Sequence, residues 1–286
     1  MTKKVWNFII LNFSLSWLLA GLLKIFNIKL ISSLGILLGV LYMFCPLVSV
    51  VILEKFLYHG SIKETCSVNF KLNWWFLMAW LLPFFVSFAS FGVAVLFPGV
   101  EISPTMEGFF ERFANTYPAD QIELMKKQIS EMPVSPVIVM SIQALFAGAT
   151  INALAAFGEE VGWRGLLYNE LIPKFNFWQT SLIIGFIWGL WHAPLILQGH
   201  NYPNFPGIGV LWMIIFCILY SPIFNFIREK TNSVVSTSIL HGTINATFGF
   251  SILFLKGGNE LTVGVLGLSG FIVLLIIDVI IYLLKS

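Results

Sequence analysis

Seven long stretches of this chain contain no Asp, Glu, Lys or Arg: Val5–Leu23, Leu30–Leu53, Leu72–Val100, Met132–Gly158, Phe175–Ile227, Thr231–Leu255 and Leu261–Ile277. Runs of about 20 apolar residues are what a helix needs to cross a bilayer's hydrocarbon. Only 10% of the 286 residues are charged and 58% are hydrophobic, whereas soluble domains carry roughly a quarter charged residues. A water-soluble fold is therefore excluded. The longest stretch, Phe175–Ile227, has room for two spans, and its polar, Pro- and Gly-bearing patch Gln198–Gly207 divides it. The expectation is an all-α polytopic membrane protein with about eight transmembrane helices, at residues 5–26, 30–53, 73–97, 136–158, 178–198, 207–227, 233–255 and 261–284. Residues 1–286 then form a single membrane domain, embedded in lipid, with a polar cavity among its helices.

The first apolar run lacks a small-residue cleavage site and reads as a retained span. If the N-terminus is cytoplasmic, ten Lys and Arg collect on that side (Lys3, Lys4, Lys55, Lys63, Lys71, Arg164, Lys174, Arg228, Lys230 and Lys285) against six on the other. The positive-inside rule then puts both termini in the cytoplasm. The one large connection, residues 99–133, is expected outside. Its Met106, Phe109, Phe110, Phe113, Ile122 and Leu124 recur at roughly helical spacing, which fits an amphipathic segment on the membrane surface as well as a solvated loop. A net charge of +2 with no basic run speaks against nucleic acid as a partner. Cys45, Cys66 and Cys217 have neither metal-type spacing nor an even count, and read as packing thiols.

Ionisable groups at membrane depth are costly and are functional candidates by default. Glu159 and Glu160 directly follow an apolar run, and Arg164 stands four residues after Glu160. On a helix that spacing allows an ion pair. Adjacent carboxylates point about 100° apart, so one can face a cavity while the other is tied into structure. An interfacial cluster marking a helix end is the bland alternative. The sequence Trp188-Gly189-Leu190-Trp191-His192-Ala193-Pro194 places a histidine beside a helix-bending proline. His241 and Asn245 are four apart and share a helix face. Together Glu159, Glu160, Arg164, His192, His241 and Asn245 provide a base for water and donors for a tetrahedral oxyanion. Two histidines and a carboxylate are also a catalytic zinc set, here Glu160, His192 and His241, so a cofactor is left open between none and zinc.

Glu-Glu-x-x-Trp-Arg, Trp-x-x-x-His and His-x-x-x-Asn occur in this order over residues 158–245. They resemble the motifs of the CPBP family, which holds the type II CAAX prenyl endopeptidases and Abi-like bacterial relatives tied to bacteriocin processing or self-immunity. The resemblance implies an intramembrane endopeptidase acting on a peptide or membrane-protein substrate. In it Glu159 is the base with help from His192, His241 and Asn245 stabilise the oxyanion, and Glu160 and Arg164 support the site. Where the family often has Phe, this chain has Trp188, which keeps an aromatic lining. The family is described both as zinc-dependent and as glutamate-based. A non-catalytic immunity or scaffold protein and a proton-coupled transporter are the competing readings. The expected spans also carry a tension: a span ending at residue 158 leaves Glu159 at the cytoplasmic end, while His192 lies ~20 Å along the next one. The endopeptidase reading needs both at one depth, which requires either that span four continue past Glu159 towards Leu171 or that span five begin later.

Overall fold

A computed structural model of the chain describes residues 1–114 and 118–285, with the Phe113 side chain and residues 115–117 of the long connection outside the described part. Each of the eight expected spans contains a helix. The helices are α1 (Lys3–Ile25), α2 (Ser33–Leu57), α3 (Trp74–Ala94), α4 (Glu107–Phe113), α5 (Ala119–Ser130), α6 (Pro136–Ala149), α7 (Ile151–Leu171), α8 (Phe177–Trp191), α9 (Pro206–Thr231), α10 (Val234–Thr247) and α11 (Leu268–Lys285). The lengths differ from those expected. Among the described residues, five helices are long and apolar enough to cross a membrane, and α6 with α7, bent by 42°, makes a sixth if the pair is one span. The expected fifth and seventh spans hold only 15 and 14 helical residues, in α8 and α10. Helix α8 stops where Pro194 follows His192, and the chain turns once more through Ala193–Ile196. The polytopic all-α architecture stands.

The passes alternate in direction. At one end, Thr2 donates to Glu170, Lys4 pairs with Glu54, and Lys285 reaches Glu229, so both chain termini lie there. At the other end the 248–267 segment meets the long connection through a two-residue antiparallel pairing, Glu101–Ile102 with Leu255–Lys256. There Met106 and Phe110 pack with Phe250 and Leu253, while Leu124 of α5 is exposed. Exposed Ile138, Ile142, Phe146, Ile151 and Leu154 along α6 and α7 form an apolar outer face, as lipid-facing helices require. The three cysteines are buried. Burial pushes the Cys66 thiol, in the 61–73 segment, up to about 12, as expected of an inert packing residue.

Close helix approach is built from absent side chains. A Cβ on Gly242 of α10 would sit 2.3 Å from the Ala153 nitrogen and 2.4 Å from the Gly148 oxygen, so α10 lies directly against the bend between α6 and α7. Gly242→Ala is expected to cost about 1–3 kcal/mol through overpacking, read as a lower Tm of the detergent-solubilised protein. An unchanged Tm would show that the bend is soft enough to yield.

Candidate active site

The tension in depth resolves through α7. The helix does not end at Gly158; it runs on to Leu171, widening into a π-type turn over Val161–Leu167. Wide turns of this kind are rare and frequent at functional sites. Glu159 therefore lies ~18 Å before Leu171 at helical rise, and Trp188 lies ~17 Å after Phe177. With a short turn joining α7 to α8, Glu159 and Trp188 meet at one level, and His192, one helical turn further on, lines the same cavity as Glu159. The same continuation corrects the charge count. Arg164 is fully buried in the helix interior rather than in a cytoplasmic connection, which leaves nine cationic residues on the termini side against six.

Glu159 and Glu160 do point to different partners. Glu159, 2% exposed, accepts from the Trp188 indole Nε1 at 2.9 Å and from Trp163 Nε1 at 3.4 Å. Glu160, fully buried, accepts at Oε1 from Arg164 Nη1 at 3.1 Å and from His241 Nδ1 at 2.9 Å. Its Oε2 is buried without a hydrogen-bond partner among the described residues. Arg164 also donates from Nη2 to Ser221 Oγ at 3.1 Å. Its guanidinium lies 3.9 Å from the Phe224 ring centroid and 4.4 Å from that of Trp188, so aromatic faces take the part of water around a buried cation.

The ring nitrogens have assigned tasks. His192 Nδ1 lies 2.8 Å from the Trp188 carbonyl oxygen. A carbonyl only accepts, so Nδ1 carries the proton and Nε2 keeps its lone pair. Trp188 thus holds the carboxylate with its side chain and the histidine with its backbone. His241 gives Nδ1–H to Glu160 and lines the same cavity. Its ring lies edge-on to Trp188 and Phe224, with centroids 5.4 and 5.8 Å away.

These groups converge on one cavity of about 390 Å³, lined by Glu159, Trp188, His192, His241 and Asn245. Arg164 and Glu160 stand behind its wall. The structure thus gathers all seven residues singled out in the sequence, four of them and Trp188 facing the cavity and two supporting. The zinc set does not assemble. Among the described residues no three His, Cys, Asp or Glu side chains converge as ligands, and Glu160 is committed to Arg164 and His241.

Three contributors escaped the sequence reading. Ser221 is an unremarked serine in an apolar helix, and its role is visible only through Arg164. Trp163 sits in the first motif, where its i, i+4 spacing from Glu159 was the available signal. His200 sits in a polar connection of the ordinary solvated kind, yet it lines this cavity.

Comparison with known proteins places this geometry. Residues 141–247 match the family model described as type II CAAX prenyl endopeptidase Rce1-like. CAAX prenyl protease 2 of Methanococcus maripaludis is 41% identical over 49 residues, a match covering 17% of this chain and 18% of that protein. The stretch that carries all seven side chains of the site is therefore the part of the chain that is similar to the Rce1-like type II CAAX prenyl endopeptidases.

Proposed function

We propose that the chain is a membrane-embedded endopeptidase that hydrolyses a peptide bond with water activated by Glu159. The observation that carries this reading is the pairing of a carboxylate held by two indole N–H groups with two tautomer-fixed histidines around one cavity. Water in that cavity gives a proton to Glu159 as its oxygen attacks the scissile carbonyl carbon. His192, with Nε2 unprotonated, holds the same water by accepting its second hydrogen. When doubly protonated, His241 keeps Nδ1–H on Glu160 and presents Nε2–H to the developing oxyanion. The Asn245 amide adds a second donor that never titrates. The proton on Glu159 then passes to the leaving amine, and the carboxylate is regenerated.

The termini end of the bundle is assigned to the cytoplasm, with its nine Lys and Arg against six, and the 99–133 connection to the outside. The substrate is a peptide or a membrane-protein segment. Two tests bear on this reading. Comparing the membrane proteome of cells carrying the intact protein with that of cells carrying Glu159→Gln should reveal a precursor that accumulates only in the variant. An identical proteome would favour a binding or immunity role. Trp188→Phe keeps the ring beside Arg164 and removes the N–H from Glu159. A hydrogen bond to a charged group contributes about 1.5–3 kcal/mol, so turnover should fall roughly 10- to 100-fold with little change in Tm. Equal loss of turnover and Tm would make Trp188 a packing residue.

A further inference from the structure

The reaction cavity does not stop at the catalytic level. A second chamber of about 380 Å³ adjoins it, and the two share wall residues Leu30, His200, Asn201, Phe248, Val265 and Leu266. Their walls differ in kind. Away from the catalytic groups the inner chamber is bounded by Ile36, Val40, Met213, Phe216 and Ile244. The outer one adds Arg112, Asn204, Asn259 and Glu260. It lies at the end of the bundle away from the chain termini, between the 198–205 and 251–266 segments and the tip of α4.

The polar groups of the outer chamber are fixed by the protein and keep capacity in hand. Arg112 donates to the Gly257 carbonyl and, at 3.4 Å, to the Gly258 carbonyl, while its Nε–H has no partner among the described residues. Asn204 Nδ2 donates to Glu260 Oε1, and the Asn259 side chain accepts from Leu261 N at 3.0 Å. Donors and acceptors therefore both line one space. A polypeptide backbone offers one donor and one acceptor per residue and fits such a wall, whereas an isolated cation or anion would meet a group of its own sign. Each chamber falls in the range of ~300–1,000 Å³ usual for ligand sites.

We infer that the outer chamber is a binding site for the hydrophilic flank of a peptide whose apolar residues, with the scissile bond, occupy the inner chamber. The inference rests on the endopeptidase reading for the words scissile bond only; the binding site itself does not need it. The substrate class is then an amphipathic peptide, apolar at the cut and polar on the side that leads out of the bundle at the end opposite the chain termini.

The test uses the full chain carrying Glu159→Gln in detergent micelles and three dansyl-labelled decapeptides: Leu/Ala throughout, Ser/Gly throughout, and one half of each. Fluorescence anisotropy should show the mixed peptide binding at least about tenfold more tightly than either uniform one. A second measurement adds Asn204→Cys and reacts it with biotin-maleimide, the native thiols being buried. Filling the chamber should bring the mixed peptide down to the affinity of the Leu/Ala peptide. Pro203→Cys, also on the chamber wall, serves as the second position if Asn204→Cys does not fold. Unchanged affinity after modification, or equal affinity of the mixed and Leu/Ala peptides, overturns the inference. If the mixed peptide binds as expected but the protein with Glu159 intact leaves it uncut, the binding site stands and the endopeptidase reading falls.

Discussion

Exchanging Glu159 for Gln is expected to lower peptide hydrolysis by about 10²–10⁴-fold, the span typical of a lost general base, without loss of folded protein. The substitution suits the question because the Gln carbonyl oxygen can still accept from Trp188 Nε1 and Trp163 Nε1, the two donors now on the carboxylate. Packing is kept and only proton acceptance is lost. Cleavage rate and Tm should be measured on the same preparation. Retention of most of the activity would remove Glu159 from the chemistry and shift attention to the imidazoles on the cavity wall, His192 first among them.

Arg164→Met is expected to have the largest structural effect. It leaves Glu160 as a buried carboxylate with His241 as its one remaining hydrogen-bond partner among the described residues, and Ser221 without its contact to Nη2. Removing one member of a buried ion pair costs about 3–5 kcal/mol because the other charge is stranded. The side chain also fills the space between Phe224 and Trp188. Arg164→Lys keeps the charge but not the planar fork that reaches Glu160 and Ser221 together, so it should recover part of the loss. Glu160→Gln combined with Arg164→Met should be more stable than Arg164→Met alone. A double variant no better than the single one would show that packing of the guanidinium against the rings, not charge, sets the cost.

Much of this site was legible because the membrane makes polar residues conspicuous. In a chain with 10% charged residues, two carboxylates beside an apolar run and a histidine in each of two spans have few ordinary explanations. Helical periodicity separated the partners of Glu159 from those of Glu160 and paired Glu160 with Arg164. The end of the carboxylate helix was misplaced for a physical reason. Arg164 looks like an interfacial charge when its neighbours are read in order along the chain. It is buried because Phe224, Trp188 and Ser221, from α8 and α9, surround it. Long-range partners of that kind leave no local mark. The lengths of α8 and α10 were overestimated likewise, since hydropathy reports where a segment is apolar and not where its hydrogen-bonded helix stops. Trp188 was read as lining, and a change from Phe to Trp looks conservative by volume. The single N–H it adds is what contacts Glu159.

Both chain termini lie at the end of the bundle where Lys4 meets Glu54 and Lys285 meets Glu229, and the two chambers lead toward the other end. A domain joined to either terminus, whether by recombination or by an experimenter, would stand across the full thickness of the bilayer from the chambers' outer end. It could report on the protein or anchor it without crowding the chambers. The same separation means that any control exerted from that domain must travel through the helices themselves, and α7, which runs from Glu170 at that end back to Glu159 in the cavity, is the most direct mechanical line between the two.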